Sequence, residues 1–325
     1  MAKGPTGVCV IQAPCKINLH LSIGEKRGDG FHNLESIFAP LALADTLRFE
    51  CCGATEDTLS VNYLSTDSWR LSSSQSNDCQ ISAKLEENLV LRAVSLFRRR
   101  IGFESALRIR LDKRIPAGAG LGGGSSDAAS ALLALNILAG NPFSTEELSE
   151  MAAALGSDVP FFLGGGAAFV SGRGERVEPV KAPEGLWTLL VKPPFSSDTT
   201  DSYRLLDEAR ELLEKEPLPS QATLKEKLMK EALQSPPENW PFYNDFLPVF
   251  LAQGGVKAAA YRAVLDELRN AGASFAGLSG SGSCCFGIFT SEKRAKNAEK
   301  ALSCGKNDII LTFFLAQKPN GVVEY

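Results

Sequence analysis

Two histidines, His20 and His32, are all the imidazole that 325 residues contain, and none of the eight cysteines forms a CxxC pair. That leaves too few ligands at the right spacing for a structural zinc module. Cationic excess is also missing: 34 Lys and Arg against 38 Asp and Glu give a net charge of -4. A protein that grips nucleic acid through its backbone needs a basic face, so no nucleic-acid partner is expected, and an anionic ligand would need a local pocket. No apolar run approaches the ~18 residues of a helical membrane span. The first ten residues lack a basic stretch followed by an apolar one, so the sequence predicts a soluble, unexported, cytoplasmic chain with reduced thiols, no membrane association and no implied protein partner.

What is present is an ordinary globular composition, 44% hydrophobic, in a chain longer than one hydrophobic core usually serves. Prolines at 179, 183, 193 and 194 surround a strand-like run at 187–191. They divide the chain near 180, into domains 1–180 and 181–325. In the first half, apolar runs at 7–12, 17–23 and 45–50 read as strands, with Gly28, Asp29 and Gly30 marking a turn. Asn88 caps a helix whose apolar residues recur through Phe97, ending in Arg98, Arg99 and Arg100 before Gly102. Leu107, Ile109 and Leu111 then alternate with Arg108, Arg110 and Asp112 as a half-buried strand. In the second half, a strand at 187–191 precedes helical stretches at 203–233 and 256–270. Strands at 274–278 and 283–289, a helix at 292–302 and a strand at 309–315 complete the split β-α-β-β-α-β order of a ferredoxin-like layer.

The strongest signal is KRIPAGAGLGGGSSDAASALLALN at 113–136. It joins a strand to a helix, read at 128–139, that is apolar nearly all round. Gly118, Gly120, Gly122, Gly123 and Gly124 strip the side chains from successive N–H groups, and Ser125 or Ser126 is read as the helix cap. A helix N-terminus with orphan donors and a partial positive charge suits phosphate. The spacing of Gly118, Gly120 and Gly123 matches GxGxxG, but no acidic residue follows at a strand end to read a ribose. Neither a Gly-Lys-Ser/Thr ending nor a valine two residues after the last glycine is present, which removes the P-loop and protein-kinase readings.

Three further segments stand out. APCKINLHL at 13–21 alternates as a strand with Lys16, Asn18 and His20 on one face. LGSDVPFFLGGG at 155–166 ends one helix at Gly156 and opens another short element, for which Asp158 is either an N-cap or a functional carboxylate. GLSGSGS at 277–283 reads as a hairpin turn, and the serine-rich stretch 64–80 as an exposed loop.

Taken with GDGFHNLESIF at 28–38, ENLVLRA at 87–93 and ND at 244–245, these segments resemble the GHMP kinase superfamily, in particular the branch whose acceptor is a cytidyl-linked sugar alcohol. The resemblance implies an α+β, two-domain fold, with an N-terminal half like ribosomal protein S5 domain 2 and a ferredoxin-like C-terminal half. It also implies transfer of phosphate from ATP, with Mg2+, to a hydroxyl of that small molecule. Asp158 matches the family's catalytic aspartate and Lys16 the lysine beside it. Pro116, Ala117, Gly118, Ala119, Gly120, Leu121, Gly122, Gly123, Gly124, Ser125 and Ser126 match the ATP-binding loop, with Asn88 on the adenine side. Phe31 and His32 match a pair that holds cytosine, with Tyr203 a further aromatic closing the sandwich and Asn18 helping to fix the substrate. Metal ligands are not specified, Ser125 and Ser126 being the candidates. Kinases of homoserine, mevalonate or a sugar, and a non-catalytic nucleotide binder, are the alternatives. GDGFH argues against the former because those acceptors carry no cytosine, and retention of Lys16 and Asp158 argues against the latter.

Overall fold

The computed structural model describes residues 7–52, 56–64, 88–102, 105–213, 226–303, 305–316 and 322–324. Most of the 64–80 stretch, and part of the expanded 205–240 region, lie outside the described residues. The apolar runs at 7–12 and 17–23 belong to one strand, β1 (Val8–Lys26), which forms a hairpin with β2 (His32–Cys52). Pro14, which would normally end a strand, sits at an irregularity in the ladder, and further register shifts fall at Asn18/His20 and Ile23/Lys26. Such bulges let the chain stay paired while re-aiming its side chains.

β3 (Thr58–Tyr63), β4 (Ala106–Lys113), β5 (Ala168–Gly172) and β6 (Arg176–Pro179) extend this sheet. β2 is long enough to pair with β5 along Leu34–Phe38 and with β4 along Thr46–Cys52. The short β11 (Val322–Glu324) returns to pair with β1. α2 (Gly123–Leu138) packs on β1 and β2, and α1 (Leu89–Ile101), α3 (Thr145–Leu155) and the single turn α4 (Phe161–Gly164) pack on α2. α1 starts and stops as its sequence predicts: the Asn88 side chain accepts the Val90 N–H at 2.9 Å, and Gly102 ends the helix at φ 69°.

The remaining chain forms β7 (Trp187–Lys192), α5 (Thr199–Leu213), α6 (Glu226–Ala232), α7 (Phe246–Gln253), α8 (Gly255–Asn270), β8 (Phe275–Leu278), β9 (Cys285–Phe289), α9 (Glu292–Leu302) and β10 (Asp308–Phe313). Its four strands are antiparallel in the order β10-β7-β9-β8, which is the ferredoxin-like arrangement that the element order predicts. No described helix is long and apolar enough to cross a membrane.

His20 introduces a pH dependence into this framework. It is fully buried in β1 and edge-on to Tyr243, whose backbone N–H donates to Nδ1, while Nε2 has no partner among the described residues. Burial pushes its pKa down from 6.5 to about 4. Between those values the unfolded chain binds a proton that the folded chain does not. The stability is therefore complete above the unfolded pKa and falls as the pH drops through the window, by roughly 3 kcal/mol at its lower end. Thermal melts of wild type and His20→Gln across this window test the point: the slope should flatten in the variant, and identical slopes would remove His20 as the cause.

Candidate active site

The glycine loop lies between β4 and α2, and its entry is tied down by a buried carboxylate. Asp45, fully buried in β2, accepts the N–H groups of Arg114 and Ile115 at 2.5 and 2.8 Å and pairs with Lys113. Lys113 also reaches Asp127, in the second turn of α2, at 2.6 Å. Burial pushes the Asp127 carboxyl up to about 7, with Lys113 pulling against it and Asp45 adding to it.

Helix α2 begins earlier than its apolar run suggests, and no serine caps it. Gly122, at φ 71°, is the N-cap and offers no side chain. The first helical bond is Ser126 N–H to the Gly122 carbonyl, so the N–H groups of Gly123, Gly124 and Ser125 precede the hydrogen-bonded ladder. A serine cap would satisfy one of those donors, whereas a glycine cap leaves them for a ligand. Ser126 itself is fully buried, and its hydroxyl has no partner among the described residues.

The loop is also braced from the ferredoxin-like layer. The 277–283 segment forms the predicted turn, and its backbone presses on the glycines. Ser279 Oγ donates to the Gly120 carbonyl at 2.9 Å, and Cys284 N–H donates to the Ala119 carbonyl at 3.2 Å. Asn244, in the ND pair, holds that turn through Nδ2, which donates to the carbonyls of Leu278 and Gly280 at 2.8 Å each.

Lys16 is buried, not solvated. At an irregularity in β1 its N–H donates to the Leu121 carbonyl at 3.0 Å, while Nζ donates to Asn18 Oδ1 at 2.5 Å and lies 4.7 Å from the Phe38 ring centroid. Asn18 is held in turn by Ser36, to which its Nδ2 donates at 3.0 Å. Asp158 stands 3.7 Å from Lys16 Nζ, its side chain one-third exposed. Pro160, not Asp158, occupies the N-cap of α4, so the carboxylate is not spent on that helix. Burial pushes the Lys16 ammonium below the ordinary lysine range, and the charge of Asp158 opposes that shift.

Two cavities meet at Asp158. One, of about 460 Å³, is lined by Lys16, Asn18 and every residue from Pro116 to Ser125. Neither Ser126 nor Asn88 lines it, although Leu89, next to Asn88, does. The other, of about 930 Å³, contains Phe31, His32 and Arg173. Leu34, Asp158, Thr199 and Tyr203 face both.

Phe31 is half exposed. Tyr203 lines the same cavity. Its ring stacks on that of His32, with centroids 5.0 Å apart at 22°. Burial, with a smaller contribution from Asp158, raises the Tyr203 hydroxyl to about 12, so it keeps its proton. Asp207, one helical turn beyond Tyr203 on α5, lies 2.7 Å from His32 Nε2 and 3.0 Å from Lys26 Nζ. Sequence reasoning missed it, although the i,i+4 spacing from Tyr203 put both on one face of a helix.

The chain that carries this lysine–aspartate pair, with a glycine loop on one side and an aromatic pocket on the other, is similar to known proteins. "GHMP kinases N terminal domain" matches residues 88–166, and "GHMP kinases C terminal" matches 222–307. The 4-diphosphocytidyl-2-C-methyl-D-erythritol kinase of Synechococcus sp. (strain CC9605) is 38% identical over 308 residues, covering 90% of this chain and 91% of that one. The chain belongs to the 4-diphosphocytidyl-2-C-methyl-D-erythritol kinase family of GHMP kinases. A crystal structure of 4-(cytidine 5'-diphospho)-2C-methyl-D-erythritol kinase superposes with a TM-score of 0.69 at 31% identity, covering 94% of this chain and 99% of that one. Homoserine kinase from Cytophaga hutchinsonii gives a TM-score of 0.68 at 16% identity, covering 98% and 99%, a likeness of fold alone. Membership bears out the α+β GHMP fold and the kinase activity that the motifs imply.

Proposed function

We propose that this protein transfers the terminal phosphoryl group of ATP to the 2-hydroxyl of 4-diphosphocytidyl-2-C-methyl-D-erythritol, in the non-mevalonate route to isoprenoid precursors. The observation that carries the reading is the meeting of two cavities at Asp158: the glycine-lined one suits a nucleotide triphosphate, and the one beside Phe31 and His32 suits a cytidyl acceptor. The two substrates would then approach from opposite sides of one carboxylate, which is the positioning that phosphoryl transfer chiefly requires.

Asp158 orients the acceptor hydroxyl and takes its proton as the oxygen attacks the terminal phosphorus and the bond to the ADP oxygen breaks. Lys16, fixed by Asn18 and by packing on Phe38, neutralises charge on the phosphoryl oxygens. The free N–H groups at the start of α2 cradle the phosphates. Phe31 stacks the cytosine, and His32, backed by Tyr203 and Asp207, reads its polar edge. Among the described residues no group of three or more His, Cys, Asp or Glu is placed to hold a metal. The Ser125 hydroxyl on the cavity wall and the nucleotide's own oxygens fit Mg2+, which would neutralise phosphate charge. The same reading divides the chain near residue 180, with 322–324 returning to the first sheet.

The test is ATP-dependent phosphorylation by the purified protein of 4-diphosphocytidyl-2-C-methyl-D-erythritol beside mevalonate, homoserine and galactose. Selective turnover of the cytidyl compound is expected. Turnover of another acceptor alone would overturn the assignment of the Phe31 cavity, and inactivity on all four would overturn the kinase reading.

A further inference from the structure

The cavity beside Phe31 is lined by four cations, and three of them are already engaged. Lys26 is 3.0 Å from Asp207, and Arg204 is 2.6 Å from Glu208. Arg210 donates to the carbonyls of Ile23 and Gly24 and stands 3.7 Å from Asp245. Arg173 differs. Among the described residues no carboxylate lies within ion-pair distance of its guanidinium, which rests over the Phe31 ring, 4.8 Å from the centroid. Asp29 feels its charge, but that carboxylate is paired with Arg27 at 2.9 Å.

The backbone gives this cation its direction. Arg173 stands in the tight turn between β5 and β6, and its N–H donates to the Glu175 carboxylate at 2.6 Å. Gly174 has φ 118°, and a β-carbon there would lie 3.1 Å from Ser157 Cβ and 3.2 Å from the Ser157 carbonyl oxygen. The turn therefore leans on the residue next to Asp158, while the Arg173 side chain reaches the Phe31 ring. Arg173 and Gly174 together thus link the Phe31 ring to the residue before Asp158, and Arg173 and Asp158 line one cavity.

We infer that Arg173 binds the diphosphate that links the cytosine-bearing nucleoside to the sugar alcohol of the acceptor; this rests on the acceptor reading above. A guanidinium presents a planar fork matched to phosphate oxygens, and one without a carboxylate partner needs to break no ion pair to make those bonds. Stacking on Phe31 holds the fork in place and keeps the cost of ordering the long side chain low.

The experiment compares cytidine with cytidine 5'-diphosphate as ligands of the full chain, by calorimetry, with the donor cavity saturated by a non-hydrolysable ATP analogue. Wild type should prefer the diphosphate. In Arg173→Met, which keeps an apolar stem over Phe31, that preference should shrink about tenfold or more, with cytidine affinity and the apparent ATP constant little changed. Arg173→Lys should recover part of the preference as a point charge without the fork. Equal weakening of both ligands in Arg173→Met would make Arg173 a support for Phe31 and overturn the inference, as would an unchanged preference. Wild type that binds both ligands equally would sink the inference alone, whereas wild type that binds neither would sink the acceptor reading with it.

Discussion

Replacing Asp158 with Asn should lower turnover by about 10³-fold or more, because the amide retains the size of the carboxylate but cannot take the acceptor proton. The loss should appear equally in kcat and kcat/KM, the mark of an interaction made in the transition state. ATP binding should stay within about threefold of wild type, since the phosphate-facing donors belong to the glycine loop and to α2. Lys16 adds a second consequence. Burial already presses its ammonium toward the neutral form, and the charge of Asp158 opposes that pressure. Removing the charge should make Lys16 easier to deprotonate, so the residual activity of Asp158→Asn should fall off at lower pH than wild-type activity does. Single-turnover rates with ATP and the cytidyl acceptor, beside ATP titrations, measure both effects. Turnover near wild type would remove Asp158 from the chemistry.

The donor side was largely legible in the sequence because glycine writes backbone geometry directly. The spacing from Gly118 to Gly124 announced a loop that side chains cannot fill, and all of Pro116 to Ser125 do line one cavity. What capped the helix was not legible. Two serines at the right place read as caps, but the chain turns at Gly122, where a positive φ does the same work without consuming a donor. The pairing of residue 16 with residue 158 was hidden for a different reason. It is a tertiary contact across a folded sheet, and each residue taken alone has an ordinary explanation, as a solvated strand lysine or a helix cap. Only the family resemblance joined them in advance.

The acceptor side was least legible, since its geometry depends on where α5 docks. The sequence marks Tyr203 only as a further aromatic of the pocket, whereas the docked helix sets it against His32 and brings Asp207 to the imidazole in the same turn. The GLSGSGS segment carried a similar double meaning. Its hairpin was predictable from local turn chemistry, whereas its contact with Ala119 and Gly120 exists only once the two sheets are packed together.

That contact makes Gly120→Ala the most disruptive small change expected in the loop. Gly120 has φ 73°, and a β-carbon there would lie 2.1 Å from the Ser279 carbonyl oxygen and 3.1 Å from that of Gly282. Both obstacles are backbone, so no side chain can swing away, and the turn is itself held by Asn244. Either the glycine loop or the turn must shift. The expected cost is on the order of 3 kcal/mol, seen as a fall in Tm of roughly 5–10 °C. The apparent ATP constant should rise about tenfold or more, because the displaced loop no longer presents its N–H groups together. Gly124→Ala is the contrasting case. It lies within α2, and its new methyl would meet only Leu89 Cδ1 at 3.7 Å. Its Tm should hold or rise slightly, as alanine favours the helix by up to about 1 kcal/mol. A weaker ATP constant in Gly124→Ala at undiminished Tm would then report close approach of phosphate to the cavity wall, separated from any damage to the fold. Calorimetric melts and ATP titrations of the two variants decide the matter: Gly120→Ala with wild-type values in both would mean that the brace from the second sheet does not hold the loop.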